Sequence, residues 1–406
     1  MSTTATARVK HRTASEVALF VSFELGEKEW KIAWATSLGE RPRCRTLRAR
    51  DTKGLLAEIE KARAALAARR VVTCYEAGRD GFWLHRFLHA HGIENRIVDS
   101  ASIEVNRRAR RQKTDRLDAE KLLSMLLREA LGEKDLWSVV NVPGAADEDA
   151  RSLQREYRTL VKERTRSANR ILGLLASQGL APERIDARLP EWLARVRLWD
   201  GSALPPGARQ RIEREFERWQ FTHAQLLAIE KERRDRTQDL AEPGLEKVRR
   251  LFALKGIGLG AAWTYGLEFF SWRQFRNGKQ VGALAGLTPT PYQSGDSERE
   301  LGISRAGNRW VRGLSIEIAW GWLRHQPRSA LSRWYQQRFA RGGTRARKVG
   351  IVALARKLLV VLWRYVEMGV LPEGAELKAG TKSKEEHFES DRGLVLPPDL
   401  PREIAC

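Results

Sequence analysis

Apolar positions near the start of the chain recur at every second residue. In residues 17–25, 30–36 and 43–47 that alternation fits three short strands, and from 52 to 67 the spacing changes to the helical period. A strand at 71–76, an amphipathic stretch at 81–91, a strand at 95–98 and a helix at 114–130 follow. Hairpins therefore give way to strands alternating with helices, which predicts one mixed α/β domain over residues 17–132 behind a flexible basic arm at 1–16.

The order, a hairpin meander followed by β-α-β-α, suits an RNase H-like fold. Beyond it the pattern is helical. Residues 148–169 and 207–242 are dominated by charge, with Leu, Ile, Phe and Trp at helical spacing, and the Pro- and Gly-bearing stretch 204–207 separates them. We expect an antiparallel helical or coiled-coil arm over 133–244, serving either as a solvated spacer or as a surface for dimerisation or for gripping nucleic acid. A third, mainly helical unit spans 245–371, with helices at 261–270, 310–322 and 346–367 and a glycine-rich connection at 286–307; residues 372–406 read as a flexible tail.

Charge sharpens this picture. The 73 Lys and Arg against 51 Asp and Glu leave a net charge of +22, and the basic stretches recur along most of the chain, as expected for a partner that is a polyanion. Nucleic acid fits better than an anionic membrane, which a single juxtamembrane cluster would suggest. With 42% hydrophobic residues and 14 Trp the chain has the material for folded cores. Cys44, Cys74 and Cys406 lie far apart without CxxC spacing, which argues against a disulfide framework or structural zinc. The apolar run 17–23 is too short to span a bilayer, so a cytoplasmic location, with no membrane partner, is expected.

Two constellations carry candidate chemistry. Glu24 and Glu76 each end a predicted strand, and Asp115 and Asp118 lie three apart at the start of a predicted helix, hence on one face. Strand ends in a parallel sheet converge on one edge, so a helix docked there would complete an oxygen cage suited to Mg²⁺. Arg107, Arg108, Arg110, Arg111 and Lys113 precede the Asp pair, where they would hold a phosphate backbone. Taken singly, each carboxylate also reads as a solvated surface group or a favourable charge at a helix N-terminus.

The second constellation is the stretch Gly286-Leu287-Thr288-Pro289-Thr290-Pro291-Tyr292-Gln293-Ser294-Gly295, read as a stiffened loop that presents Ser294. Arg299, Arg305, Arg309 and Arg312 follow it and suit the charge of a phosphoryl transition state. Tyr292 is a rival nucleophile, and a plain turn is the alternative. Upstream, Lys255, Gly256 and Gly258 form a stretch like the turn of a helix-hairpin-helix motif, able to meet a phosphate, or else simply a glycine-rich connection. His85, His89 and His91 lack a nearby further ligand and read as satisfied or solvated, and the phosphate-loop pattern of ATPases does not occur.

Together, Glu24-Leu25-Gly26, Tyr75-Glu76-Ala77-Gly78, Lys113-Thr114-Asp115 with Asp118-Ala119, Gly286-Leu287-Thr288-Pro289, Gln293-Ser294-Gly295, Gly307-Asn308-Arg309 and Ala355-Arg356-Lys357-Leu358-Leu359 resemble the DEDD transposases of bacterial insertion sequences. These are RNA-guided bridge recombinases related to the Piv DNA invertase. The likeness spans residues 19 to about 369 and is closest to a subgroup with Glu as first carboxylate. It implies a RuvC-like N-terminal domain with the four carboxylates at Glu24, Glu76, Asp115 and Asp118, Mg²⁺ as cofactor, and a C-terminal transposase domain with the nucleophile at Ser294. It further implies donor and target DNA and a noncoding guide RNA as partners, a homodimer assembling to a tetramer, and composite active sites. On the residues alone, a RuvC-like nuclease using water and a non-catalytic nucleic-acid scaffold stay open.

Overall fold

The computed structural model describes residues 17–103, 114–294 and 297–378, with the backbone alone for 291–301. Two compact units emerge, one of Met1–Pro143 with Trp272–Gln274, the other of Gly144–Ser271 and Phe275–Cys406.

In the first unit β1 (Ala18–Leu25), β2 (Glu29–Ala35), β3 (Arg43–Arg48), α1 (Thr52–Ala65), β4 (Arg70–Glu76), α2 (Trp83–Ala90), β5 (Glu94–Val98) and α3 (Asp115–Ala130) follow one another. The five strands form a mixed sheet in the order β3-β2-β1-β4-β5, with β1, β2 and β3 antiparallel neighbours and β4 and β5 parallel to β1. Strand alternation decides what each face can bury. Leu19, Val21, Phe23, Trp30, Ile32, Tyr75 and Ile97 pack with Leu55 and Ile59 of α1 and Leu84 and Leu88 of α2. The other face is smaller, with Ala33, Ala35, Val72, Cys74 and Val98, and α3 lies on it through Ala119, Leu122, Leu123, Leu126 and Leu127. Asp51 caps α1 by accepting from Gly54 N at 2.9 Å, and Thr114 caps α3 by accepting from Leu117 N at 3.3 Å.

Trp272–Gln274 belong to this unit: Asn141 N donates to Trp272 O at 2.8 Å, and buried Arg273 pairs with buried Asp99 at 3.1 Å.

The second unit begins with α4 (Ala145–Ala176), α5 (Leu189–Arg195) and α6 (Pro206–Gln238). Asp149 near the start of α4 meets Arg236 near the end of α6, while Arg170 near the end of α4 meets Glu215 near the start of α6, so the pair is antiparallel. Ile171, Leu175, Ile212, Phe216 and Trp219 with Leu189 and Leu193 fill one end, and Leu160, Leu226 and Ile229 the middle. The short α5 is not legible in the sequence pattern, because seven residues give too little periodicity to read. Then come α7 (Glu246–Ala253), α8 (Leu259–Trp263) running into a π-helical turn at Thr264–Phe269, and α9 (Gly278–Leu284). The unit ends with the hairpin β6 (Pro289–Ser294) and β7 (Ser297–Ile303), α10 (Arg309–His325), α11 (Ala330–Phe339) and α12 (Thr344–Met368).

A polar relay in the first unit, buried at Thr73 and Asn95 and half-buried at His85, yields a pH prediction. Thr73 Oγ1 lies 2.7 Å from Asn95 Oδ1 and 3.0 Å from Glu94 O, and the Asn95 amide nitrogen lies 2.9 Å from His85 Nδ1, to which it donates when that ring nitrogen carries no proton. A neutral imidazole accepts that bond and an imidazolium cannot; burial, with His89 and Arg86 nearby, pushes His85 down to about 4. In the unfolded chain it titrates near ~6.5. As pH falls from that value toward 4 the unfolded chain takes up a proton that folded His85 refuses, so stability is lost across this window and is unaffected above it. The urea midpoint should fall between about pH 7 and about pH 5 by more in the wild type than in His85→Phe. Equal falls would show that His85 does not govern the response.

Candidate functional site

The first unit brings the predicted carboxylates to one side of its sheet. Phe23 of β1 and Tyr75 of β4 are partners in the parallel register, so the next residues, Glu24 and Glu76, are neighbours too. Alternation puts them on the face that also carries Ser22 and Cys74, which is the α3 face. Along α3, the buried stripe Leu126-Leu122 stepped back four residues reaches Asp118, and the stripe Leu127-Leu123-Ala119 stepped back likewise reaches Asp115. Ser22 Oγ fastens the two elements by donating to Ala119 O at 2.7 Å, beside Asp118.

Glu24 and Asp118 are half-buried, and Glu76 and Asp115 exposed. Glu24 and Glu76 line one recess together with Asp80 and the turn Gly78–Gly81. Among the described residues, however, no three His, Cys, Asp or Glu groups come close enough together to hold a metal ion. The carboxylates share a face without closing into a cage. Ion pairing separates three of them from nearby carboxylates. Arginines hold Glu94 and Glu120 below the usual carboxylate range, through hydrogen bonds from Arg70 and Arg116 respectively. Glu76, Asp115 and Asp118 have no such side-chain partner among the described residues. Carboxylates gathered on one face offer the oxygen donors that a hard divalent ion takes.

The sequence pattern did not single out Asp80, whose side chain is 7% exposed, lies 3.6 Å from Arg50 and lines the same recess. The flanking Gly78 and Gly81 were the available signal. Arg107, Arg108, Arg110, Arg111 and Lys113 lie outside the described residues.

In the second unit Ser294 ends a strand instead of projecting from a loop. Ser294 pairs with Ser297 across the hairpin tip and Tyr292 with Arg299, with a register irregularity between Pro289 and Pro291. A two-stranded ribbon tolerates both prolines because a bulged edge strand needs no continuous ladder of N–H donors. Two glycines hold the hairpin's base. Gly286 (φ +67°) and Gly307 (φ +88°) adopt left-handed backbone, and a Cβ on them would come within 2.0 Å of Ala306 O and 2.3 Å of Leu284 O respectively. Asn308 N donates to Leu284 O at 2.8 Å, and Arg305, itself left-handed at φ 55°, donates from its N to Gly286 O at 3.2 Å. Arg312 Nη1 donates to Ala285 O at 3.3 Å and Arg305 O at 3.0 Å, so this arginine closes the hairpin base. Arg305 and Arg309 are exposed beside it, and Asn308 caps α10 by accepting from Trp310 N and Val311 N.

The turn after α7 has Gly256 at φ +83°, as a tight helix-to-helix turn requires. Its outer side is already occupied. Residues 372–378, expected at the start of a flexible tail, are tied to it: Lys255 N donates to Glu376 O at 3.1 Å, Lys378 N to Ala253 O at 2.8 Å, and Gln326 Nε2 bridges Lys255 O and Glu376 O. The Lys255 ammonium pairs with the Glu376 carboxylate. Of the predicted phosphate contacts here, Lys255 is engaged internally and Gly258 is exposed.

The glycine pair generates a test. Gly286→Ala and Gly307→Ala should each destabilise the protein by roughly 1–3 kcal/mol and hasten proteolysis within 289–303, because backbone stands where the methyl would go. Gly302→Ala, at φ +82° with open space around its Cβ, should cost less. Equal effects at all three positions would mean that backbone conformation alone, not the close approach, sets the requirement.

Comparison with known proteins covers both units. A family model described as transposase of the IS116/IS110/IS902 family matches residues 248–336, and a DEDD transposase model of the IS110 type matches residues 27–178. The protein y4rJ of Sinorhizobium fredii, named as a transposase, is 42% identical over 385 residues, 89% of this chain and 95% of the relative. The transposase for insertion sequence element IS1111A of Coxiella burnetii is 27% identical over 290 residues, 70% of this chain and 74% of the relative. That for IS1328 of Yersinia enterocolitica is 26% identical over 262 residues, 64% and 73% respectively. The 42% identity with y4rJ across nearly the whole length, together with the two family models, shows that the chain is an insertion-sequence DNA transposase, and it belongs to the IS116/IS110/IS902 family.

Proposed function

We propose that this transposase joins donor and target DNA through a phosphoserine formed at Ser294, with Mg²⁺ held at Glu24, Glu76, Asp115 and Asp118 of a RuvC-like domain. The observation that carries the reading is the shared placement of the carboxylates: Glu24 and Glu76 adjacent on the α3 face, and Asp115 and Asp118 on the stripe of α3 that faces the same sheet. A bound divalent ion would neutralise charge on the scissile phosphate and on the oxygen that leaves it. Ser294 Oγ would attack phosphorus, forming one P–O bond as the bond to a deoxyribose oxygen breaks. The released hydroxyl of another strand would then reverse the step, so bond energy is conserved. Exposed Arg305 and Arg309, near the hairpin base, suit the charge that develops at phosphorus.

The motif likeness supports two finer points. A noncoding guide RNA would pair with donor and target, leaving the protein to read backbone and shape, as the +22 charge favours. Homodimers would assemble into tetramers around the paired DNA.

Ser294→Ala should bind DNA normally yet reduce joining by at least about 1,000-fold, and a nicked suicide duplex should become covalently linked to the wild type with the adduct on the peptide containing Ser294. Normal joining by Ser294→Ala, or an adduct at Tyr292, would reject the nucleophile. Asp118→Asn should weaken Mg²⁺ binding, read by calorimetry, by about tenfold or more while the far-UV spectrum is kept. Unchanged affinity would remove Asp118 from the site. Sequencing of copurifying RNA should return one discrete species; a heterogeneous mixture would oppose RNA guidance.

A further inference from the structure

The charges of α4 are sorted around its circumference. Residues 150, 151, 154, 160, 167, 171 and 175 are buried; all but Arg151 define the inward side, while Arg151 begins the basic stripe and packs with Arg155 against Glu268. On the opposite side, helical spacing lines up Arg155, Arg158, Lys162, Arg166 and Asn169 with no carboxylate among them, while Glu156 and Glu163, seven apart, fall together on one flank. A helix face that is merely solvated usually mixes signs at i and i+4, so a run of one sign is an arrangement with an electrostatic consequence.

The five positions are not equivalent. Arg155 is neutralised by Glu268, at 2.7 and 3.0 Å. Lys162 and Arg166 are exposed and have no ion-pair partner among the described residues. Arg158 lies with its guanidinium carbon 3.3 Å from the centre of the Trp310 ring. Such stacking fixes the plane of the guanidinium and leaves its N–H edge available for a phosphate. Trp310 belongs to the first turn of α10, next to exposed Arg309 and just after the base of the serine hairpin. The stack therefore fastens the basic face of α4 to the segment that follows Ser294.

We infer that this face of α4 is a track for the backbone of duplex DNA flanking the strand joined at the hairpin, with Arg158, Lys162 and Arg166 contacting phosphates. Successive charges are spaced by roughly 6 Å along the helix axis, so one phosphate strand laid along α4 meets each in turn. Arg158 is a positioning contact, held by Trp310, at the end nearer the hairpin. The inference rests on the proposed DNA joining at Ser294 for the direction of the track, while its binding contacts do not depend on serine chemistry.

The test is the salt dependence of duplex binding. Removing one cation that touches a phosphate should reduce the slope of log affinity against log salt by about 0.9 for duplex DNA. Lys162→Gln with Arg166→Gln should lower the slope by about 1.8, and Arg158→Gln by about 0.9 more. Neutralising Arg211 and Arg214, exposed on α6 and without ion-pair partners among the described residues, should leave it unchanged. Ser294→Ala should show the wild-type slope, so a failure of the serine chemistry and a failure of the track are read separately. An equal fall for the α6 variant would mean that only total charge matters and would overturn the inference. So would a fall seen with single-stranded RNA but not with duplex DNA, since the face would then serve RNA.

Discussion

How closely α3 approaches the sheet is the constraint on which the placement of the first unit's carboxylates depends. Ala33 and Ala35 on the sheet and Ala119 on the helix are small, and Ser22 Oγ reaches Ala119 O across that gap. A larger side chain at any of these positions would lift the helix from the strand end. Asp118 follows directly from this contact, being the neighbour of Ala119 and one turn before Leu122. The carboxylates on the strands need only the parallel register of β1 with β4. Those on the helix need the sheet's small-residue face, and the two requirements meet at a single edge.

The second unit shows why a large positive charge is a poor map of a nucleic-acid surface. Arg233 is 1% exposed, lies 4.3 Å from the Tyr157 ring and 5.3 Å from that of Trp263, and has no hydrogen-bond partner for Nε or Nη2 among the described residues. Burial lowers its pKa, and the aromatic faces compensate part of its lost hydration. Arg151 is buried against Glu268, and Arg312 closes the base of the serine hairpin. These arginines join neighbouring elements to one another. Removing such a group exposes unpaired neighbours and opens a cavity, so loss of activity on its substitution would not identify a DNA contact. The residues free to meet a phosphate are the exposed ones without carboxylate partners, a much smaller set than the composition suggests.

The strap formed by residues 372–378 bears on the same point. Lys255, in a turn shaped like a phosphate-binding hairpin, already faces Glu376. Both side chains are about two-fifths exposed, where an ion pair contributes only about 0–1 kcal/mol. The backbone pairing of Leu254 with Leu377 is the firmer part of the contact, because those groups are shielded.

The sequence by itself determined the two-faced strands, the helical arm and the neighbourhood of Glu24 with Glu76. Strict alternation encodes which face is apolar, and each glutamate is the next polar step in such a run. The spacing of Asp115 and Asp118 likewise encoded a common helix face, and the motifs around Gly286 and Gly307 encoded the family. Periodicity does not say which distant segment covers a face. Lys255 and Glu376 meet from 121 positions apart. Ser294 stands at a strand end because the prolines fit an isolated ribbon, Gly286 and Gly307 are required because each meets the other's chain, and which arginines remain exposed depends on where Glu268 and the aromatic rings lie. Those outcomes were decided by the tertiary structure, since local preferences do not specify the partner of a long-range contact.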